Sequence, residues 1–209
     1  MPDRIPSLLD QLETGDRNAQ AVAAWTLGRL GDGRAVAPLI AHLRDPDRFV
    51  RLECVEALGR LGAVAVPALI AALEEGETRR YAASALASLG DERAVVPLLE
   101  ALQQPSWDDR WEAAEGLGKL KARVALEPLL PLLQDPDASV RAIAAWALGE
   151  ICRSQAQTPA GRSGSPGDET CQGRVRTALE RACQDEDAQV RQAARKALER
   201  LAATGGNGP

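Results

Sequence analysis

The chain has 209 residues, of which 45% are apolar, and carries 25 Lys and Arg against 30 Asp and Glu. The resulting net charge of −5 argues against binding along a nucleic-acid backbone, which needs clustered basic residues. Only one Phe, one Tyr and one Met are present, so Ala and Leu must fill the core, and both favour helices. The composition therefore predicts closely packed helices.

The N-terminal segment is polar and leads directly into a helical pattern near residues 5–13. No apolar signal segment follows it. The longest apolar run, at 63–73, contains Pro67 and is too short to span a bilayer. We therefore expect a cytoplasmic protein without membrane insertion.

A unit of about thirty residues recurs from residue 17 onward. Its clearest marker is a column that is mostly glycine and whose members are Gly28, Gly59, Ala87, Gly118, Gly149 and Glu199. The steps between them are 31, 28, 31, 31 and 50 residues. Near-constant spacing predicts that each unit packs on the next and that the core is continuous.

Each unit divides into two helices. In the second unit, Asp47 is placed to cap a helix with one apolar face, and Pro67 lies in the first turn of a shorter helix. First helices are predicted to start near residues 17, 48, 77, 107, 138 and 188, and second helices near 34–43, 65–74, 93–103, 124–133 and 174–183. We therefore predict an all-α fold, a right-handed α-α superhelix (a HEAT-like α solenoid) of five to six helix pairs.

The step of 50 residues exceeds the usual 31 by 19 residues, which fall at Arg153–Cys171. This segment is rich in Gly, Ser, Pro and Thr and has no apolar period. We predict a flexible insertion at 153–171 within a single array over 1–203, and a disordered tail at 204–209.

These patterns resemble the HEAT repeat, in the short form found in the phycobilisome (PBS) lyase HEAT-like repeat family. The motifs that carry the resemblance are Leu-Gly-x-Leu-Gly-Asp followed by Ala-Val-x-Pro-Leu, at 27–39, and Asp-Pro-Asp followed by Val-Arg, at 135–141. The resemblance implies a ladder between adjacent units that is formed by Asp47, Arg51, Asp137, Arg141, Asp187 and Arg191. It also implies roles as an adaptor or as a subunit of enzymes that attach open-chain tetrapyrroles (bilins).

Catalytic residues are not indicated. His42 is the only histidine and is followed by Leu43, so there is no His-Glu pair of the kind that holds iron in the similar deoxyhypusine hydroxylases. A hydrolytic triad would depend on His42 alone. We therefore expect a non-catalytic protein; if the chain is part of an enzyme, the resemblance implies a phycobilin lyase.

The four cysteines form no Cys-x-x-Cys pair. Cys54 and Cys183 fall in columns of apolar residues and are predicted to be core residues. Cys152 and Cys171 flank the insertion, where they would form a disulfide or a shared metal site, or remain two unpaired thiols.

Tryptophans and glutamates are the candidate partner-binding residues. Trp25 and Trp146 share a column that holds polar residues in other units, so we expect partial exposure and a contact role, with packing on the neighbouring helix as the alternative. The other candidates are a tryptophan pair one turn apart, for which packing is again the alternative, and two column-matched glutamate pairs: Trp107, Trp111, Glu53, Glu112, Glu56 and Glu115. The glutamates would meet a basic partner or tetrapyrrole nitrogens, or simply keep the surface soluble.

Three functions are consistent with these residues. The first is an interaction scaffold that holds another protein along one face and needs no cofactor. The alternative is a bilin (phycocyanobilin) lyase subunit or lyase-like chaperone, which binds a bilin transiently and has a phycobiliprotein as its partner. The third is an iron–sulfur assembly adaptor that uses Cys152 and Cys171.

Overall fold

The computed structural model describes the backbone of residues 3–155 and 166–205. Within these ranges the chain forms twelve α-helices and no β-strand, which confirms the all-α prediction. The helices are α1 (Ile5–Thr14), α2 (Arg17–Leu30), α3 (Val36–Ala41), α4 (Arg48–Leu61), α5 (Val66–Ala72), α6 (Arg79–Ser88), α7 (Val95–Ala101), α8 (Trp107–Lys119), α9 (Leu126–Leu129), α10 (Ala138–Gln155), α11 (Pro166–Ala182) and α12 (Ala188–Gly205).

The long helices begin where the capping pattern predicted. In three of them the capping carboxylate accepts hydrogen bonds from the backbone N–H groups two and three positions further on, at 2.7–3.4 Å; the residues are Asp47, Asp137 and Asp187. These bonds satisfy donors that a helix start otherwise leaves without a partner. Helix α6 begins at Arg79 rather than near 77, and Thr78 at its N-cap makes no side-chain capping bond.

The chain divides into two compact units, Met1–Pro97 and Leu98–Pro209, with the boundary inside α7. In the first unit the long helices pack in chain order, α1 on α2, α2 on α4 and α4 on α6. The shorter helices α3 and α5 pack on α4 and α6 respectively, and on each other. The prediction of a single array over residues 1–203 stays a prediction.

In the second unit α10 packs between α8 and α12, and α11 contacts α9, α10 and α12. The glycine column allows the long helices to approach closely. A Cβ atom on Gly118 would lie 3.0 Å from Ala147 Cα, and one on Gly149 would lie 2.8 Å from Ala197 Cα. In the first unit, Gly28 stands in the same relation to Ala57 Cα, at 2.6 Å. The recurring glycine thus marks helix–helix contacts.

Arginines at one position of the repeat connect successive helix pairs in the second unit. Arg110 donates to both carboxylate oxygens of Asp135 at 2.6 and 2.9 Å, and Arg141 donates to both of Asp185 at 2.9 Å. Each guanidinium also donates to two backbone carbonyl oxygens in the turn before its own helix. We call each of these Arg–Asp pairs a rung.

The rung partners differ from those that the resemblance implied. The aspartates that the resemblance implied, Asp47, Asp137 and Asp187, cap their own helices. The rungs are instead formed by Asp135 and Asp185, each two positions before a capping aspartate. Asp135 and Asp185 also accept from the backbone N–H of the capping aspartate at 2.9 Å, so one carboxylate holds both the turn and the arginine. In the first unit Arg51 instead donates to the buried hydroxyl of Tyr81 at 2.7 Å.

The insertion is shorter in the structure than in the prediction. Helix α10 continues to Gln155 and α11 already begins at Pro166, so both ends of the predicted 153–171 loop are helical. Proline suits the first helical position because the N–H that it lacks would have no helical partner. Residues 156–165 lie outside the described part of the chain. In the predicted tail, α12 extends to Gly205, and residues 206–209 are not described.

Candidate binding groove

An open groove of about 450 Å³ lies between α2 and α4 in the first unit. Its lining residues follow helical spacing on each helix, so one face of α2 meets one face of α4; they are Asn18, Ala21, Val22, Trp25, Phe49 and Glu53. This volume is within the usual range for small-molecule sites. Two candidate residues from the sequence, Trp25 and Glu53, therefore line one groove.

The groove leaves three large apolar side chains in contact with solvent. Val22 is 61% exposed, Trp25 is 40% exposed and Phe49 is 43% exposed. Arginines lie against the two aromatic rings: Arg29 Cζ is 4.6 Å from the centre of the Trp25 ring, and Arg17 Cζ is 5.5 Å from that of Phe49. A contiguous exposed apolar patch with charged side chains around it is typical of a binding site.

Glu53 is the only charged residue among those that line the groove. Its side chain is half-buried, and it makes no hydrogen bond or ion pair with the residues that the structure describes. A carboxylate beside apolar groups favours a ligand that brings an N–H donor or a positive charge, because such a ligand offsets the lost hydration.

The neighbouring Cys54 is not a nucleophile for such a ligand. The side chain is fully buried, and this burial, with smaller contributions from the charges of Asp45 and Glu53, raises the pKa of the thiol to about 12. Only the thiolate reacts readily, so Cys54 stays protonated and inert near neutral pH. The prediction that Cys54 is a core residue is confirmed.

The remaining tryptophans lie in the second unit. Trp146 is half-buried, and a Cβ atom on Gly118 would come within 2.6 Å of its Cζ3 atom, so the ring lies against α8. Trp146 thus packs on the neighbouring helix, which is the alternative given above for this column. Trp25, in the same column, lines the groove instead. Trp107 is 43% exposed and Trp111 is half-buried; their role in partner binding stays a prediction.

The other predicted glutamates do not line the groove. Glu56 lies 3.5 Å from Arg60, and Glu115 lies 3.0 Å from Lys119, each pair one turn apart on a single helix. Glu112 is only 3% exposed, so the expectation of a surface contact is wrong for this residue. The reason is that α8 is buried around most of its circumference, including the side that carries Glu112.

Cysteine and histidine positions give no support to metal chemistry in the described residues. Cys152 is buried, and the side chain of Cys171 lies outside the description, so their pairing stays a prediction. No group of three potential metal ligands occurs in the described part. His42 lies 3.3 Å from Asp45 and 3.6 Å from Glu13, where it connects α1 to the turn before α4.

Two groove residues, Val22 and Phe49, are absent from the sequence-based candidates. Phe49 occupies a column in which the other units have polar residues, Asn18, Glu77, Asp108 and Ser139. Phe49 therefore carries the same signal as Trp25, an aromatic residue in a column that holds polar residues in other units. Val22 gives a weaker signal, because Tyr81 and Ile143 occupy its column in other units.

A family model for HEAT repeats matches residues 5–90 and 66–149, which together make up more than half of the chain. The chain belongs to the HEAT-repeat family. Designed armadillo repeat proteins have a similar fold: one solved in complex with the peptide (KR)4 gives a TM-score of 0.57 at 22% identity, over 95% of this HEAT-repeat protein and 100% of the designed chain. This likeness concerns the fold alone.

Other relatives of this HEAT-repeat protein are connected with bilins. It is 41% identical over 75 residues to phycocyanobilin lyase subunit alpha of Synechococcus elongatus, covering 35% of this chain and 28% of the relative. It is 39% identical over 100 residues to the bilin biosynthesis protein PecE of a Nostoc species, covering 42% of this chain and 39% of PecE. The matched segments thus span well under half of these relatives.

The solved complex of CpcE and CpcF, from the phycocyanin lyase of Nostoc, is also similar. The TM-score is 0.60 at 27% identity, and the match covers 80% of this chain and 99% of the other. These relatives confirm the resemblance to phycobilisome lyase repeats and favour the bilin-related alternative over a general scaffold. No described helix is long and apolar enough to cross a membrane.

Proposed function

We propose that this protein is a bilin-handling subunit of a phycobilin lyase, or a lyase-like chaperone, which holds phycocyanobilin in the groove between α2 and α4. The observation that carries the proposal is the groove itself, in a chain whose relatives include a phycocyanobilin lyase subunit alpha and the bilin biosynthesis protein PecE. Because the chain matches only part of the length of those proteins, their activity, substrate and partners are proposed for this chain.

The groove residues suit the chemistry of a bilin. An open-chain tetrapyrrole has conjugated apolar faces, which Trp25, Phe49 and Val22 can contact. It carries propionate carboxylates, which suit the guanidinium groups of Arg17 and Arg29 at the aromatic rings. It also carries pyrrole N–H donors, which suit the Glu53 carboxylate.

The chain would hold the pigment without a covalent bond. Cys54, adjacent in sequence to Glu53, is buried and its pKa is raised, so it does not compete for the pigment. The cysteine that accepts the bilin would belong to a phycobiliprotein. A second repeat subunit is the further proposed partner, by analogy with the complex of CpcE and CpcF.

The test is titration of the protein with phycocyanobilin, followed by visible absorbance. We expect a saturable change in the pigment spectrum, and a loss of affinity of about tenfold or more in Trp25→Ala and Phe49→Ala, the range for central contact residues. Trp107→Ala is the matched control, because its exposure, 43%, is close to the 40% of Trp25. An unchanged pigment spectrum with the wild-type protein would overturn the proposal.

A further inference from the structure

We infer that Glu53 determines the protonation state of the bound pigment: its carboxylate accepts pyrrole N–H groups and favours the cationic, fully protonated bilin. This inference rests on the proposed function and adds to it the role of one groove residue. Three observations carry it, namely the place of Glu53 in the groove, its half-buried side chain and its lack of a partner among the described residues.

Glu53 differs from the other acidic side chains around the groove. Asp47 caps α4 and lies 3.0 Å from Arg17, and Glu56 lies 3.5 Å from Arg60. Their charges are thus already offset by neighbours. Glu53 has no such neighbour in the described chain, so its charge is available to a ligand in the groove.

Other charged groups lie nearby on α4 itself, in the turn before it and on the helices that pack against it. Each of these groups already has its own contact: Arg17 with Asp47, Arg29 with the Trp25 ring, Arg51 and Arg80 with the Tyr81 hydroxyl, and Asp45 with His42. Of the charged groups named here, only Glu53 lines the groove itself. It is therefore the charged group best placed to interact with the pyrrole nitrogens.

The protonation state of a bilin sets the charge of its conjugated system. A neutral bilin has one imine-type ring nitrogen without hydrogen, and a proton taken from solvent converts it into a fourth N–H donor and makes the conjugated system cationic. An opposite charge within a few ångströms favours the charged form of a titrating group. A carboxylate in a partly apolar groove therefore favours the protonated pigment, whose absorption lies at longer wavelength than that of the neutral form.

The experiment is a pH titration of phycocyanobilin bound to the protein, read from the long-wavelength absorption band. We expect the midpoint of pigment deprotonation to lie at least about one pH unit above that of free pigment, and to fall by about one unit in Glu53→Gln. Glu53→Asp keeps the charge and should retain most of the shift. Glu56→Gln, three residues further along α4 and outside the groove, should leave the midpoint unchanged.

The outcomes separate this inference from the proposed function. If Glu53→Gln binds the pigment with the wild-type midpoint, the inference is overturned and the proposed function stands. If the wild-type protein does not bind phycocyanobilin, both fall. Loss of pigment binding in Glu53→Gln, with binding kept in Glu53→Asp and Glu56→Gln and unchanged circular dichroism in all three, would support a direct contact between Glu53 and the pigment.

Discussion

Arg141 and Asp185 lie 44 residues apart in the sequence, yet Nε and Nη2 of the arginine donate to the two carboxylate oxygens of the aspartate at 2.9 Å each. The equivalent rung, Arg110 to Asp135, spans 25 residues. The difference of 19 residues equals the amount by which the 50-residue step of the repeat exceeds the usual 31. The rung therefore keeps its geometry although the chain between its two residues is much longer.

The Arg141–Asp185 rung should contribute measurably to stability. Both side chains are largely buried, and paired hydrogen bonds between charged groups are geometrically specific. We expect Asp185→Asn to lower the free energy of unfolding by about 1.5–3 kcal/mol, the range for hydrogen bonds to charged groups. Urea unfolding followed by circular dichroism would measure it.

A double-mutant cycle with Arg141→Gln isolates the rung from other effects of each substitution. The exposed pair of Arg34 and Asp32 is the matched control, and Arg34→Gln should have no measurable effect. A coupling free energy near zero between positions 141 and 185 would show that the rung is not stabilising.

The rungs also predict how stability depends on pH. The hydrogen bonds from Arg141 lower the pKa of Asp185. Burial would raise the pKa of Asp135, but hydrogen bonds from Arg110 and from the backbone outweigh it, so this pKa is lowered as well. A carboxyl with a lowered folded-state pKa stabilises the protein above its unfolded value of about 3.9 and loses this contribution as the pH falls through the folded value.

Stability should therefore decrease as the pH falls below about 4. Asp185→Asn should make this decrease shallower, because the substituted side chain does not titrate. Urea unfolding at a series of pH values between neutral and strongly acidic would measure both slopes. Equal slopes for the wild-type and variant proteins would contradict the assignment of Asp185.

Two glycines of the same column should respond in opposite directions to alanine. A Cβ atom on Gly28 would lie 2.6 Å from Ala57 Cα, so Gly28→Ala should destabilise the protein by about 1–3 kcal/mol through overpacking. The nearest atom for a Cβ on Gly59 is Ser88 Cβ at 3.4 Å, an ordinary contact. Gly59→Ala should then be neutral or stabilise by up to about 1 kcal/mol, since alanine favours helices.

The glycine variants are compared by chemical unfolding under identical conditions, and each serves as the control for the other. Loss of stability in Gly59→Ala equal to that in Gly28→Ala would mean that the α4–α6 approach is as close as the α2–α4 approach.

The two tryptophans of one column should differ in their effect on stability. The Trp146 ring lies against Gly118, so Trp146→Ala should cost about 2 kcal/mol, below the usual core range because the ring is half-buried. Trp25→Ala should cost less than about 1 kcal/mol, since the ring is largely a surface group with one arginine contact. Similar losses for both variants would indicate that Trp25 is also a packing residue.

The sequence predicted the elements well because their signals are local. The capping of α4 and α10 depends on an aspartate and on the residues directly after it, and the repeat shows this combination several times. The start of α11 was missed because a Gly- and Pro-rich composition was taken to indicate a loop, although proline is also favoured at the first position of a helix.

Features that depend on packing between units were harder to predict. The sequence of an Asp-Pro-Asp turn does not show which aspartate meets an arginine, and only the turn geometry shows that Asp135 rather than Asp137 does. Likewise the column that holds Glu53 at the groove buries Glu112 inside its unit. The position of a residue within a repeat thus determines the direction of its side chain, whereas the neighbouring residues determine whether that side chain is buried or lines a groove.

The rung that spans the surplus has a practical consequence. The Arg141–Asp185 rung resembles the Arg110–Asp135 rung although 19 more residues separate its two members, so we expect the length of the connection between α10 and α11 to be uncoupled from the contacts on either side. Lengthening a closed loop further adds only a slowly growing entropy cost. A reporter domain inserted between residues 156 and 165 should therefore leave the pairing of α10 with α12 intact, which makes this connection the natural point for labelling the protein.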